Sequence, residues 1–261
     1  GGIGSDGPGW LGTRYQALSP SGQAKKNMEL SVVEERFQGR RGLLDSIDVI
    51  NRKADRSGQM EGLDGFEQQA YDLVLGSAKD AFDIKKEDPK VRARYGKGLG
   101  EQLLLARRLT AAGSRFVNIS YGGWDMHGKI ERAMKSRSPQ MDQGLSALIE
   151  DLSESGQLQD TLLVVTGEFG RTPRVNKNAG RDHWPQCGFS LLFGGGTRSG
   201  LVLGKTDRHA AYPVDRPVSA GDMAATIYHL LGIDSSMMVN DLNGRPIPIA
   251  HGGSPVTEVL A

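Results

Sequence analysis

A chain of 261 residues is long enough to bury a sizeable core, as one large domain or one and a half. Lys and Arg number 32 against 31 Asp and Glu, a near-neutral balance that offers no electrostatic case for nucleic acid or an anionic membrane surface. The lone Cys187 excludes an internal disulfide framework and a Cys-rich zinc cluster, and no apolar run approaches the roughly 20 residues of a membrane span.

Residues 1–28 read as loop: "GGIGSDGPGWLGTRYQALSP" has no initiator Met, no basic n-region and no apolar h-region, so the chain is expected to be a segment of something longer. Residues 29–55 and about 64–83 read as helical, with Val32, Val33, Phe37, Leu43, Leu44 and Ile47 at mixed spacings of three and four. "KKEDPKVRARYG" is a charged connector broken by Pro89, and a helix over about 97–112 is closed by Gly113. "RFVNISY" predicts a strand from Phe116 to Tyr121. A helix over about 140–155 presents Met141, Leu145, Leu148, Ile149 and Leu152 on one face. "TLLVVT" (161–166) and "GFSLLFGGG" predict two more strands, and a short helix at 222–231 ends at Gly232. Helices alternating with strands imply crossover units. The expected fold class is α/β, a mainly parallel sheet sandwiched by helices, with 29–83 a helical segment and 97–261 the α/β core.

In open α/β sheets, functional groups gather beyond the carboxyl ends of the strands. "GGWDMHGK" follows the first predicted strand and carries Asp125 and His127; "GEFGRTP" follows the second and carries Glu168 and Arg171; "GRDHWP", with Asp182 and His183, precedes the third. Carboxylate oxygens and imidazole nitrogens suit Zn²⁺, Mn²⁺ or Fe, and a carboxylate-rich version suits Mg²⁺ or Ca²⁺. Asp125 and His127 are two apart, so in extended backbone they point the same way. Each group has a plainer reading beside the metal one. Asp125 could cap a turn beside a solvated His127, Glu168 could be a loop carboxylate paired with Arg171, and Asp182-His183 could form a Gly-flanked turn with Trp184 on Pro185. Trp124 and Trp184 read as loop anchors, His229 as structural and His209 as solvated. "GLVLGKT" (200–206) is one residue short of a P-loop, and no helix follows it. No G-x-S-x-G elbow occurs.

The segments "GGWDMHG", "VVTGEFGRTPRVN", "GRDHWPQCGFSLLFGGG", "GLVLGKTD", "YPVDRPVSAGDMAATIYHLLGID" and "LNGRPIPI" closely resemble the exported bacterial proteins of the sulfatase-like "domain of unknown function 1501" family, placed in the alkaline phosphatase superfamily. The resemblance covers nearly the whole chain and is most specific from Gly167 to Gly196. It implies one or two divalent metals (Zn, Mn, Ca or Mg) over the end of a parallel sheet, with a Ser, Thr or modified Cys attacking phosphorus or sulfur. Carried over by motif, the metal ligands are Asp125, His127, Glu168 and His183, with Asp182 beside them. Arg171 is the cation facing an anionic ester, since a guanidinium matches such oxygens bidentately. Two departures stand out. The superfamily spacing at the first site is longer than Asp-x-His, and its second group is Asp-His where this chain has Glu168-Phe169, which puts one of the two metals in doubt.

The resemblance also implies a nucleophile and a neighbouring metal-binding Asp on a first strand near the start of the domain. No residue here matches that strand. The chain is therefore expected to be the C-terminal portion of one sulfatase-like domain, incomplete at its N-terminus and close to inactive alone. Two functional readings follow: a metal-dependent hydrolase of sulfate or phosphate esters, including those of sulfated or phosphorylated glycans, or a non-catalytic metal- or glycan-binding relative on the same scaffold. An upstream strand ending in Asp, followed shortly by Ser, Thr or Cys, would favour the enzyme. The family also implies an exported, periplasmic or extracellular setting. Oligomeric state is left open.

Overall fold

The computed structural model describes residues 17–18, 35–36, 39–40, 42–43, 78–241 and 243–261. Positions 35–36, 39–40 and 42–43 are helical, as expected of the 29–55 segment. The remainder of that prediction, and most of 64–83, lies outside the described residues. The chain packs as two compact units, one of Gly1–Arg92 with Leu104–Ser120, the other of Ala93–Leu103 with Tyr121–Ala261.

The first unit contains helix α1 (Ala78–Phe82). Its polar centre is Glu87, whose Oε2 accepts from Arg107 at 2.7 Å and Arg108 at 2.8 Å. Arg108 also donates to the carbonyls of Asp80 and Ala81, so its planar fork ties α1 down. Helices α2 (Pro89–Tyr95) and α3 (Leu99–Ala111) follow. Pro89 opens α2, where its missing N–H costs nothing. Helix α3 stops as predicted at Gly113, which takes φ +99° while Ser114 N–H returns to the carbonyl of Leu109.

The second unit is organised around helix α4 (Ile130–Glu154). It begins ten residues before the predicted start, and Pro139 lies inside it. Local propensity places a boundary at proline, but tertiary hydrogen bonds anchor the earlier turn: Lys129 and Ile130 N–H donate to the carbonyls of Asn178 and Ala179 at 3.0 and 2.9 Å. On α4, Gly144 lets Leu103 Cδ1 and the Gly100 backbone come within contact of its Cα, a helix approach that a side chain would block. Tyr95, 1 % exposed, donates its hydroxyl to Asp151 at 2.8 Å, while Ala147, Leu148 and Leu152 are buried beside Leu99 and Leu103 in the same unit's core.

Strand β1 (Leu163–Thr166) is followed by β2 (Gly170–Arg171), β3 (His183–Trp184) and β4 (Ser190–Phe193). The expected parallel neighbours are corrected here. β1 pairs antiparallel with β4, Leu163 opposite Phe193, and β2 pairs antiparallel with β3. A parallel return needs a crossover of a dozen or more residues, usually a helix; residues 167–189 contain none, and so the chain comes back as a long hairpin. All sheets among the described residues are two-stranded and antiparallel. The stretch 116–121, predicted as a strand, joins no sheet among the described residues. It keeps a strand's alternation, with Val117, Ile119 and Tyr121 half-buried and Phe116, Asn118 and Ser120 exposed.

Hairpins β5–β6 (Lys205–Thr206 with Pro213–Asp215) and β7–β8 (Met238–Asn240 with Pro246–Pro248) flank helix α5 (Ala220–Leu230). The "GLVLGKT" stretch thus runs into a hairpin rather than a phosphate-binding helix. α5 is closed at its start by a reciprocal capping box between Ser219 and Asp222. No helix among the described residues is long and apolar enough to cross a membrane.

Candidate metal centre

Two loops build the site. In the first, 122–129, Met126 is 5 % exposed and fastens the segment to the core. Its neighbours Asp125 and His127, one residue to either side, are both exposed, and Met126 N–H turns back to the carbonyl of Trp124 at 2.9 Å. In the second, 172–182, Asn176 is the knot. Its Oδ1 accepts from the N–H groups of Asn178 and Gly180 at 2.9 and 3.0 Å, and its Nδ2 donates to the carbonyl of His127 and to Asp182 Oδ1, both at 3.1 Å. Arg181 N–H to the carbonyl of Met126 at 3.0 Å joins the loops again. Gly180 is required by this closeness, because a Cβ there would overlap the His127–Gly128 backbone. β2 and β3 supply the third side, with Arg171 directly opposite His183 in register.

These constraints bring three side-chain nitrogens close to one oxygen. Asp125 Oδ1 lies 2.8 Å from His183 Nε2, 2.9 Å from His127 Nε2 and 2.8 Å from Arg171 Nη1. The Arg171 contact is an ion pair by distance, yet its buried Nη1 makes no hydrogen bond of good geometry. It is thus an electrostatic contact that leaves the N–H directed elsewhere. The hydrogen bond from His183, then the close Arg171 guanidinium, holds the Asp125 carboxyl at a pKa of about 2. Asp182 Oδ1 sits 2.8 Å from His127 Nδ1, and that hydrogen bond is the main cause of its lowered pKa.

The donor set fits a divalent cation. Asp125, His127 and His183 each present one ligand atom, all within 4.8 Å of one another. Four-coordinate zinc, with bonds of about 2.0–2.1 Å, separates its ligand atoms by roughly 3.3 Å. The observed 2.8 and 2.9 Å from Oδ1 to the two imidazoles need to open by only a few tenths of an ångström. Orientation matches as well. With Asp182 accepting the Nδ1 proton of His127, the Nε2 lone pair is left for a metal, the carboxylate–imidazole arrangement typical of metal-ligating histidines. His183 is held between His127 (ring centroids 4.9 Å) and Phe169 (4.5 Å). The site is open to solvent: Asp125 is 63 % exposed at its side chain and both imidazoles 48 %.

Five of the six candidate residues come together: Asp125, His127, Arg171, Asp182 and His183. Glu168 does not join them; it is exposed and stands outside the three-residue ligand group. It leaves β1 two residues before β2 begins, and its neighbour Phe169 turns inward instead, packing on His183 with Arg171 5.9 Å from its ring centre. Asp182 is placed as the partner that orients His127. Phe169, Asn176 and Thr172, whose hydroxyl accepts from Asp182 N–H at 3.1 Å, escaped sequence reasoning because apolar and amide side chains carry no metal signature. The only hint was their position within "GEFGRTPRVN". Trp184 is a loop anchor as expected, through an N–H bond to the carbonyl of Ala211 and an edge contact with Tyr212. His229 is exposed in the last turn of α5, and His209 is exposed beside Arg208 in a turn.

The family model described as protein of unknown function (DUF1501) matches residues 2–260. The chain belongs to the DUF1501 family. No curated protein matches the chain. No solved structure matches it either.

Proposed function

We propose that this DUF1501 protein is a metal-dependent hydrolase of sulfate or phosphate esters, exported and related to the alkaline phosphatase superfamily. The observation that carries the reading is the convergence of two imidazole Nε2 atoms and Arg171 on Asp125 Oδ1 at 2.8–2.9 Å, with Asp182 fixing the tautomer of one imidazole. Asp125, His127 and His183 would hold the cation. When bound, it supplies Lewis-acid polarisation of an ester oxygen.

The remaining work falls to this chain's own groups. Arg171 sits beside the ligand oxygen with a buried donor that lacks a well-aligned partner, placed to bind the anionic oxygens of a sulfuryl or phosphoryl group and to stabilise charge that builds on them. Asp182 keeps the proton of His127 on Nδ1, and Asn176 keeps Asp182 in place. Phe169 restricts the ring of His183 and covers one side of the site with apolar surface. Such a cluster, with three exposed candidate ligands rather than four closed ones, would suit a substrate arriving from solvent better than a closed structural metal site.

The test has two readouts. Titration of metal-free protein with Zn²⁺ and Mn²⁺ should raise Tm and show heats of binding, both lost in His127→Ala and His183→Ala. Metal-loaded protein should then hydrolyse an aryl sulfate, a phosphate monoester or a phosphate diester. Absence of metal binding overturns the site; metal binding with none of the three esters hydrolysed replaces the hydrolase with a metal- or glycan-binding scaffold.

A further inference from the structure

One residue along the chain from His127, at Gly128, begins the lining of an open cavity of about 440 Å³ within the second unit, which also includes Tyr121, Lys129, Arg132, Ser136, Arg137 and Gln140. Its charge is one-sided. Three cations line it, and no carboxylate does. Only Arg137 is engaged: it donates to the carbonyl of Gly122 at 2.8 Å and lies 5.6 Å from the centre of the Tyr121 ring. Lys129 and Arg132 have no ion-pair or hydrogen-bond partner for their side chains among the described residues. The nearest acid in sequence, Glu131, is taken by Lys135 at 2.6 Å.

Concave surfaces that gather one sign of charge focus the field and concentrate counter-ions. Two further features favour an anion. The cavity sits at the start of the 25-residue helix α4, whose N-cap Lys129 has φ +48° and no side-chain cap, so the positive end of the helix dipole adds to the field there, offset in part by Glu131 in the first turn. The rest of the lining is hydrogen-bonding: the Ser136 hydroxyl, the Gln140 amide and the Tyr121 hydroxyl, the last 3.4 Å from Gln140 Oε1. Gly128 links the two places in the chain, since it lines the cavity and follows His127.

We propose that this cavity is an anion subsite of the hydrolase, so that the preferred substrate is an ester carrying a second anionic group. One sulfuryl or phosphoryl group meets Arg171 and the metal ligands while the second is held by Lys129 and Arg132. The position as a subsite rests on the hydrolase reading; the binding of an anion there does not. Arg137, fixed by Gly122 and Tyr121, is a wall that preorganises the cavity. Gly123 is part of that wall, because a Cβ on it would collide with the Arg137 guanidinium.

The experiment separates the two claims by removing the metal. In EDTA, calorimetric titration with a disulfated disaccharide and, separately, a sugar bisphosphate should show binding of at least one probe, and the better one identifies the anion. Lys129→Gln with Arg132→Gln should weaken it about tenfold or more, and raising the salt should weaken wild-type binding in the same sense. Lys135→Gln, on the same helix but paired outside the cavity, should leave it unchanged, and matching melting curves show that each variant is folded. If neither probe binds, or if the double variant binds as tightly as wild type, the subsite is wrong even where zinc still raises Tm. If zinc has no effect on Tm while probe binding still depends on Lys129 and Arg132, the anion cavity is upheld and the metal reading fails.

Discussion

Asp125 and Asp222 both hold a carboxyl pKa of about 2, and they do it in opposite ways. Asp222 is satisfied mainly by backbone: Ser254 N–H reaches one oxygen at 3.0 Å, Ser219 N–H reaches the other at 2.9 Å, and the Ser219 hydroxyl adds a third bond at 2.7 Å. Its donors cannot leave without unfolding the start of α5. Asp125 is held by a hydrogen bond from His183 and by the charge of Arg171, side chains that meet at a single oxygen in an exposed position. They can turn toward a cation or an ester without breaking any secondary structure. A depressed pKa therefore does not distinguish structure from function; the identity and mobility of the donors does.

The sharpest way to break this comparison is the metal response. At a metal concentration a hundredfold above Kd, binding to the native state alone adds about 2.7 kcal/mol, or several degrees of Tm for a chain of this size. His183→Ala should abolish that shift, and so should Asp125→Ala, whereas Asp222→Ala should melt lower but respond to zinc as wild type does. A zinc response that survives Asp125→Ala would leave Asp125 with no more than the structural role of Asp222.

Next in size is Asp182→Asn. It removes the carboxylate that orients His127 without touching a ligand atom, and partners of this kind are worth about 10–100-fold in metal affinity. Calorimetry should show weaker zinc binding by that factor with little change in the melting of metal-free protein.

Asp222→Ala should cost about 1–2 kcal/mol of stability by urea unfolding, through loss of the capping box. The pH sign follows from the depressed pKa: Asp222 stabilises fully above the ordinary carboxylate range, near 4, and its contribution is lost as pH falls through about 2. Acid unfolding of the variant should therefore show a shallower dependence between those limits. The smallest expected effect is that of Glu168→Gln, which should change zinc affinity by less than about twofold, as befits an exposed residue outside the ligand group. A tenfold loss there would return Glu168 to the site.

Where local chemistry decides, the sequence was legible. Gly113 and Gly232 end their helices as read, each with positive φ. The "TLLVVT" and "GFSLLF" runs contain the two longest strands among the described residues, and four-residue β1 and β4 pair with each other. Asp-x-His was legible as a pair that could share a side, and the buried Met126 between them is what leaves both exposed. Pairing direction was not legible, because apolar runs look the same in parallel and antiparallel ladders and only the path of residues 167–189 tells them apart. Nor was the true start of α4, since the bonds from Lys129 and Ile130 to Asn178 and Ala179 cross about 50 residues of chain.

The sequence by itself determined which side chains could do chemistry here: two histidines, their carboxylates and one arginine, set in Gly-rich loops beside apolar strands. Their types and local spacing are fixed by covalent order. Tertiary structure alone decided which of them meet. It turned Asp182 toward the back of the His127 ring, left Glu168 in solvent and brought Phe169 against His183. It also set Lys129, Arg132 and Arg137 around one cavity, although in the sequence they are unremarkable surface charges. The reason is physical: a ligand set depends on distances of a few ångströms between loops, and those distances are set by backbone bonds such as Arg181 to Met126 that no local pattern encodes.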